Sequence, residues 1–436
     1  MDSTDTLPVV IAGAGFCGLA LAAQLLERGQ AVALIGCAAN YGRGTAYGDA
    51  RREHLLNVPA DRMGLRADAP AAFADWLGLQ DDERRRFRPR LEFGDYLMHE
   101  LDGLRARYGE RLRCIEAGIT AISRGTDARW HIAIDSGETL ESDRLVLSLG
   151  AANTASKTNN GTIIRQPWAR DALSDIDTNA PVLILGTALT MIDMVLALQA
   201  QGHRGAITAI SRRGRLPLLH PEPPLPPTPP SPALLAALEA GALRRALREF
   251  RKTIDAGAAP ATLADGLRAL IPQLWRGWPL QSRKRFLRHL RPWWDSVRHR
   301  VPREVFATLD HLRDEGRLQI RAGNFIDHEN GDARVRWRGE RHEAAIPASV
   351  VIDATGWDGD HDRYAAHPAL SALIADGHLR IDPLGLGLDC TADGSVPGAN
   401  GLHLIGFLRR GECWESTAVP ELRAQAAALA ERLAAY

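Results

Sequence analysis

Two stretches of the chain repeat one hydrophobic pattern: a short apolar run, a glycine turn, a helical period and a second apolar run. In the first, residues 8–12 predict a strand, 17–28 a helix and 31–35 a second strand. In the other, residues 181–185, 191–201 and 206–211 repeat strand, helix and strand around Gly186. Runs that are apolar throughout, rather than alternating, are those a parallel sheet buries on both faces. Two copies do not make a repeat array, so two nucleotide-binding domains are expected. Residues 145–150 and 350–356 predict further buried strands, ending in Gly150 and Gly356. Between residues 216 and 232 lies HPEPPLPPTPPSP, which excludes helix and central strand. It reads as a stiff linker or as a polyproline ligand for a partner domain. A helical, arginine-rich stretch follows over 233–313, carrying Trp275, Trp278, Trp293 and Trp294. Strand-like segments come next at 318–321, 333–338 and 349–354, and an Ala/Leu-rich helix at 420–435.

The strongest chemical signal is Gly13-Ala14-Gly15-Phe16-Cys17-Gly18, a complete G-x-G-x-x-G after a predicted strand and opening a helix. In such a turn the first glycine permits the tight bend, the second lets backbone approach a pyrophosphate, and the third allows close helix packing. Free N–H groups and the positive end of the helix dipole then face the phosphates. A glycine turn without ligand is the plainer alternative. Acid for the ribose hydroxyls is expected about 20 residues on, where the chain instead reads Ile35-Gly36-Cys37. Nearby, Gly42 and Gly44 would let the chain pass close to a cofactor, and Arg43 could meet a phosphate. Leu55, Leu56 and Val58 read as core, while Asn57 and Arg62 suit either a loop hydrogen-bonding role or a cofactor contact.

The second turn, Gly186-Thr187-Ala188, has a methyl group where backbone should approach a pyrophosphate. Arg212 and Arg213 stand at the end of the next predicted strand, either pairing with a 2′-phosphate and so selecting NADPH over NADH, or forming a solvated turn. The expected fold is therefore α/β, with two Rossmann-like dinucleotide-binding domains, for FAD and NAD(P), and a helical insertion. The expected boundaries are 1–155 for the first part of the FAD domain and 156–215 for the first part of the NAD(P) domain. Residues 216–315 form the Pro-rich linker and insertion, 316–348 the return strands of the NAD(P) domain, and 349–436 the rest of the FAD domain.

Composition narrows the function. The chain of 436 residues has 53 basic and 53 acidic side chains, so no global field recruits nucleic acid or an anionic membrane. All but Lys157, Lys252 and Lys284 of the basic residues are arginines, and Arg283-Lys284-Arg285 reads as a solvated helix face. Five scattered cysteines offer no close pair for zinc or a flavin-linked redox disulfide, and point to a reducing cytoplasm. The apolar stretch 9–26 lacks a basic leader and is split by glycines, so no membrane span is expected. His361 and His367 are too loosely set to hold a metal, and no metal is expected.

The runs GRGTAYG, HLLNVPADRM, GTALTMID, SRRGRLPLLH, RFLRHLRPWWDSVRHR, DATGW and GECWESTAVPELR resemble the YdhS-like bacterial FAD/NAD(P)-binding proteins over nearly the whole chain, in the same order. Those are relatives of the class B flavin monooxygenases, including N-hydroxylating ones. The resemblance implies that Gly13, Gly15, Phe16, Cys17 and Gly18 hold the FAD pyrophosphate and that Gly42, Arg43 and Gly44 lie along the cofactor. Asn57, Val58 and Met63 would approach the isoalloxazine. Gly406, Trp414, Glu415, Ser416 and Thr417 would close over it, and the following helix would aim its amino terminus at the pyrimidine end. Gly150 and Gly356 would mark crossings between domains, and Gly186, Thr187, Arg212 and Arg213 would serve the nicotinamide coenzyme. Two departures from the family stand out: Gly36 where it shows an acid, and Ala188 where it shows glycine.

No nucleophile–base pattern, HExxH or phosphate-transfer loop is present, so the chemistry is expected to be the flavin's. The leading expectation is a monooxygenase in which NADPH (or NADH) reduces FAD and O2 forms a C4a-hydroperoxide. That species would hydroxylate an amine nitrogen or insert oxygen beside a carbonyl of a small molecule. The FxGxxxHxxxW fingerprint of Baeyer–Villiger enzymes is absent, Pro167-Trp168 standing in its region. A flavin reductase without oxygen insertion, and a non-catalytic flavin-bound sensor or scaffold, are the alternatives.

Overall fold

A computed structural model describes residues 9–151, 162–356 and 362–435. The chain divides into two compact units, Met1–Arg52 with Val58–Ser156 and Asp358–Tyr436, and Glu53–Asn57 with Lys157–Trp357. The first stretch supplies β1 (Val10–Ala12), β2 (Val32–Gly36), β3 (Leu112–Glu116), β4 (Ile119–Arg124), β5 (Trp130–Ile134), β6 (Thr139–Ser142) and β7 (Leu145–Leu147). The second unit supplies β8 (Ile163–Ile164), β9 (Val182–Leu185), β10 (Ile207–Ser211), β11 (Leu318–Glu329), β12 (Asp332–Trp337), β13 (Ala344–Pro347) and β14 (Val350–Asp353). The chain then returns to the first unit for β15 (Leu402–Leu404).

The first unit is built on a parallel sheet in the order β15-β7-β1-β2-β3. Every residue of β1, β7 and β15 is buried, His403 of β15 included, as befits strands in a covered parallel sheet. The helix Phe16–Glu27 follows β1, and the carboxy-terminal helix Val419–Ala434 packs along it. An antiparallel meander, β4-β5-β6, shares this core through Ile122, Trp130, Ile132 and Leu140. The meander was not legible in the pattern of hydrophobic runs, because its strands alternate and face water on one side.

The second unit carries a sheet ordered β13-β12-β11-β10-β9-β14-β8. It is parallel from β11 to β8 and antiparallel across β11-β12-β13. β11 runs well past the expected 318–321, because its second half leaves β10 and pairs with β12 from Gly323 onward. Gly323 suits that change of partner, since a Cβ there would come 2.9 Å from the Trp337 ring. β14 lies in this second sheet beside β9, so residues 349–356 belong with the second unit rather than the first. Glu53–Asn57 also fall in the second unit, where Leu55 packs on its core and the His54 ring meets the Asp193 carbonyl at 3.1 Å.

The Pro-rich run is no free linker. Backbone N–H groups of Leu218, His220 and Thr228 donate to Ser296, Val301 and Thr262 carbonyls, pinning it against the insertion. The insertion comprises helices Pro232–Glu239, Leu243–Asp255, Pro260–Leu267, Ile271–Gly277, Leu280–His289, Arg291–Arg298 and Arg303–Asp314. Trp275 and Trp278 are buried against Phe286, whereas Trp293 is 45% exposed.

Candidate functional site

The turn after β1 has the geometry its glycines require. Gly13 has φ +117°, and a Cβ there would lie 2.2 Å from the Ser148 carbonyl oxygen beyond β7. A Cβ on Gly18 would lie 2.0 Å from the Gly13 carbonyl oxygen, so the first helix rests directly on the turn. Gly15 is the helix N-cap, extended and without a side-chain cap. The first-turn amides of Phe16, Cys17 and Gly18 therefore lack an intrahelical acceptor, leaving them for an anion. Gly15 also faces Gly44, whose own Cβ would stand 3.1 Å from the Gly15 Cα. The bare backbone at Gly15 and Gly44 fits a dinucleotide pyrophosphate, while a side chain at Gly13 or Gly18 would strike the backbone that shapes the turn.

The second glycine cluster is tied to this turn. Gly42 donates its N–H to the Ala14 carbonyl at 2.8 Å, and the short helix Gly44–Gly48 is held by Tyr47 against Phe93 at 4.7 Å between ring centroids. Phe93 in turn meets Phe16 at 6.1 Å. This aromatic anchor escaped the sequence reading, since Phe93 stands more than forty residues beyond the cluster it steadies. Arg43 is engaged with Asp95 at 2.8 Å, while its Nε is buried without a hydrogen-bond partner. Gly36 ends β2, and a Cβ there would sit 2.5 Å from the Ala14 methyl. Ala14 thus occupies the space in which a ribose-binding acid would begin.

Around the remaining first-unit residues the structure is closely packed. Cys17 lies against Gly406, where an added Cβ would meet its Sγ at 2.8 Å, and burial pushes the Cys17 thiol up to about 12. Gly406 donates its N–H to Gln425 of the terminal helix at 3.1 Å. Trp414 and Ser416 are buried, with Ser416 Oγ donating to the Cys413 carbonyl at 2.5 Å. Glu415 sits between them at φ +52°, and Thr417 is exposed just before the helix Val419–Ala434. Met63 is buried, and Asn57 and Val58 stand on either side of the division between the units. The Asn57 backbone accepts from the His220 ring, whose burial beside Arg300 lowers it to about 4.

The second turn copies the first in backbone and departs from it in side chains. Gly186 also has φ +117°, and its Cβ would lie 2.5 Å from the Ala354 carbonyl beyond β14, as Gly13 meets Ser148. Gly150 and Gly356 correspondingly follow β7 and β14, at φ +59° and +79°. Ala188 caps the helix Leu189–Ala200 with φ −97° and ψ −164°, beside −84° and −168° for Gly15. Its exposed methyl projects where the first turn is bare, and fully buried Met191 replaces the third glycine. Thr187 ties this turn to the loop after β10, its Oγ1 donating to the Arg215 carbonyl at 2.6 Å and lying 2.9 Å from Ser211 Oγ. That loop carries Arg212 and Arg213, which line a cavity of about 190 Å³ with Arg288, Pro292 and Arg338. Arg288 and Arg338 were missed from sequence: Arg288 sits in the run RFLRHLRPWWDSVRHR, from which no role was drawn, and Arg338 sits in no motif.

His367 accepts the Ala369 N–H at 3.2 Å to cap a helix, and His361 lies outside the described residues. Asp127, His131 and Glu141 bring ligand-type atoms within 4.8 Å, but Arg129 pairs with Glu141 at 3.4 Å on that exposed face. Among the described residues no helix is long and apolar enough to cross a membrane.

Residues 10–152 match a family model described as FAD-NAD(P)-binding. Solved structures match over the full length. An ornithine N-hydroxylase from Kutzneria sp. 744 is 16% identical, with 98% of this chain and 99% of that chain covered and a TM-score of 0.65. L-lysine 6-monooxygenase from Pseudomonas syringae gives 16%, 98%, 99% and 0.65 in the same terms. The bacillithiol disulfide reductase of Staphylococcus aureus gives 11%, 99%, 98% and 0.58. The fold is that of the two-domain FAD/NAD(P) flavoproteins. No curated protein matches the chain in sequence.

Proposed function

We propose that the protein is an FAD-dependent monooxygenase that draws electrons from NADPH and hydroxylates an amine nitrogen of a small molecule. The observation that carries the reading is the bare diphosphate cradle of Gly13, Gly15 and Gly18, set in a fold that amine N-hydroxylating enzymes share from end to end. Bound FAD would accept a hydride from the coenzyme and make molecular oxygen reactive toward substrate. The chain's own part is to bind, orient and exclude water. Backbone amides at the start of Phe16–Glu27 would neutralise the diphosphate, and the buried Cys413-Trp414 segment would shut solvent from its surroundings. The Cys17 thiol is protonated at neutral pH and supplies no thiolate. No two of the five cysteines stand close in sequence, as a CxxC redox pair would. The finer resemblance to YdhS-like proteins fits this reading and leaves the substrate open.

A flavin reductase without oxygen insertion is the second reading, favoured by one observation. The Ala188 methyl weakens the seat in which a coenzyme must stay if it is to be retained through an oxygenation. Purified protein would be reduced with NADPH without air, then given oxygen and a panel of amines. A hydroxylamine product matched to NADPH consumption supports the proposal. Quantitative release of hydrogen peroxide with every amine defeats it in favour of the reductase, and failure of both nicotinamides to bleach the chromophore defeats both.

A further inference from the structure

Arginines on the outer strands of the second sheet have partners. Arg321 pairs with Glu340 at 3.3 Å, Arg336 with Glu343 at 2.7 Å, and Arg334 with Asp327. The cavity beyond β10 breaks that habit. Arg212, Arg213, Arg288 and Arg338 all line it, and among the described residues none of the four meets a carboxylate within 4.0 Å. They come from different places: the loop after β10, the helix Leu280–His289 of the insertion, and the turn after β12. Convergence of like charges from distant sequence is unfavourable unless an anion completes the site. Arg215 adds a charge beside them, its guanidinium 3.0 Å from the centre of the Trp293 ring, and burial with Arg213 and Arg338 nearby lowers its pKa. The loop itself is fixed. Gly214 has φ +57°, donates its N–H to Ser211 Oγ at 2.9 Å, and leaves no room for a Cβ against the Ala322 backbone nitrogen.

We propose that Arg288, carried by the insertion, and Arg338 join Arg212 and Arg213 in gripping the 2′-phosphate of the nicotinamide coenzyme, so that the insertion selects NADPH over NADH. The inference rests on the reading of the second unit as the coenzyme domain. Its location supports it, because Thr187 ties the arginine loop to the turn that would face the coenzyme diphosphate, and the 2′ position of an adenosine ribose lies over the end of the neighbouring strand. A phosphate monoester is dianionic near neutral pH and offers three acceptor oxygens, which suits several guanidinium forks better than one. The cavity of about 190 Å³ is several times the ~30 Å³ share of one liquid water, room for a phosphoryl group. The arginines close on one hollow instead of running in a row, which argues against a nucleic-acid backbone. The insertion thereby acquires a coenzyme role at its Arg288 corner.

The test uses the FAD-loaded full chain and titrates adenosine 2′,5′-bisphosphate and 5′-AMP by calorimetry. Wild type should prefer the bisphosphate by about tenfold or more, a preference that weakens as salt is raised. Arg288→Ala and Arg338→Ala should each reduce that preference by about tenfold while leaving 5′-AMP binding and the melting temperature unchanged. Arg285→Ala, on the same helix but outside the cavity, should leave it intact. If Arg212→Ala lowers the preference while Arg288→Ala and Arg338→Ala do not, the proposal falls and the coenzyme reading survives. If wild type shows no preference, the proposal falls outright. Equal bleaching of the flavin by NADH and NADPH would then defeat the NADPH reading as well.

Discussion

Replacing Gly18 by alanine tests the cradle at its tightest point. The new Cβ would sit 2.0 Å from the Gly13 carbonyl oxygen and 3.3 Å from Ile11 Cγ2. A carbon and a carbonyl oxygen rest at about 3.3 Å or more, so the first helix and the turn must separate by roughly 1.3 Å. Overpacking of this kind costs about 1–3 kcal/mol. If that strain falls on the bound form, FAD affinity drops about 5- to 150-fold, at tenfold per 1.4 kcal/mol. Gly103→Ala is the internal control. Gly103 lies exposed in the helix Arg90–Tyr108 with nothing within 4 Å of an added Cβ. There the substitution should stabilise by about 0.5–1 kcal/mol through helix propensity alone and leave FAD binding untouched. Flavin retained per protein after desalting, apo-protein titration with FAD, and thermal melts read both effects. If Gly18→Ala keeps its flavin and melts as wild type does, the contact between helix and turn does not hold the seat open.

Ala188→Gly should tighten NADPH binding by about tenfold, the worth of one regained charge-assisted hydrogen bond, as read by quenching of protein fluorescence. Affinity unchanged within a factor of two would exonerate the methyl group. Acid should destabilise the fold through His203, His220, His367 and His403, whose pKa values burial lowers from 6.5, to about 4 for His220 and His403. Each is held neutral when folded and binds a proton more readily when unfolded. The stability they contribute is therefore complete above pH 6.5 and is lost as the pH falls toward 4. Denaturant titrations across that window should show a slope that shrinks by about one proton in His403→Gln, and an unchanged slope would refute the assignment. Thiol labelling of the native protein should strike exposed Cys37 first and leave Cys17 unmodified, its thiol pushed up to about 12. Equal rates at the two would show that the Cys17 pocket opens.

Sequence disclosed what depends on local backbone demands. Gly13 and Gly186 announce their turns because a positive φ and a contact with a neighbouring carbonyl tolerate little else. The all-apolar strands β1, β7 and β9, and the Val-Val-Ile run of β14, were legible for a similar reason, being largely buried. What escaped depends on distant partners. The allegiance of β14 is decided by pairing with β9 across more than 160 residues, which no local pattern encodes. Gly36 is a glycine because of the Ala14 methyl, and the turn at 42–48 is steadied by Phe93. The arginine hollow is the extreme case, since Arg288 and Arg338 look like ordinary surface residues until the chain folds.

The two turns also bear on how this protein could change. Their backbones agree so closely that regaining a bare approach at position 188 needs a single methyl removed from an exposed site. Position 191 is different, because Met191 fills the interior of the second unit and a glycine there would open a void costing at least about 2–5 kcal/mol. Adaptation toward a firmer coenzyme grip thus has one open door and one barred by its own interior. A lineage kept from the second route would gain most by adding positive charge at the far end of the nucleotide.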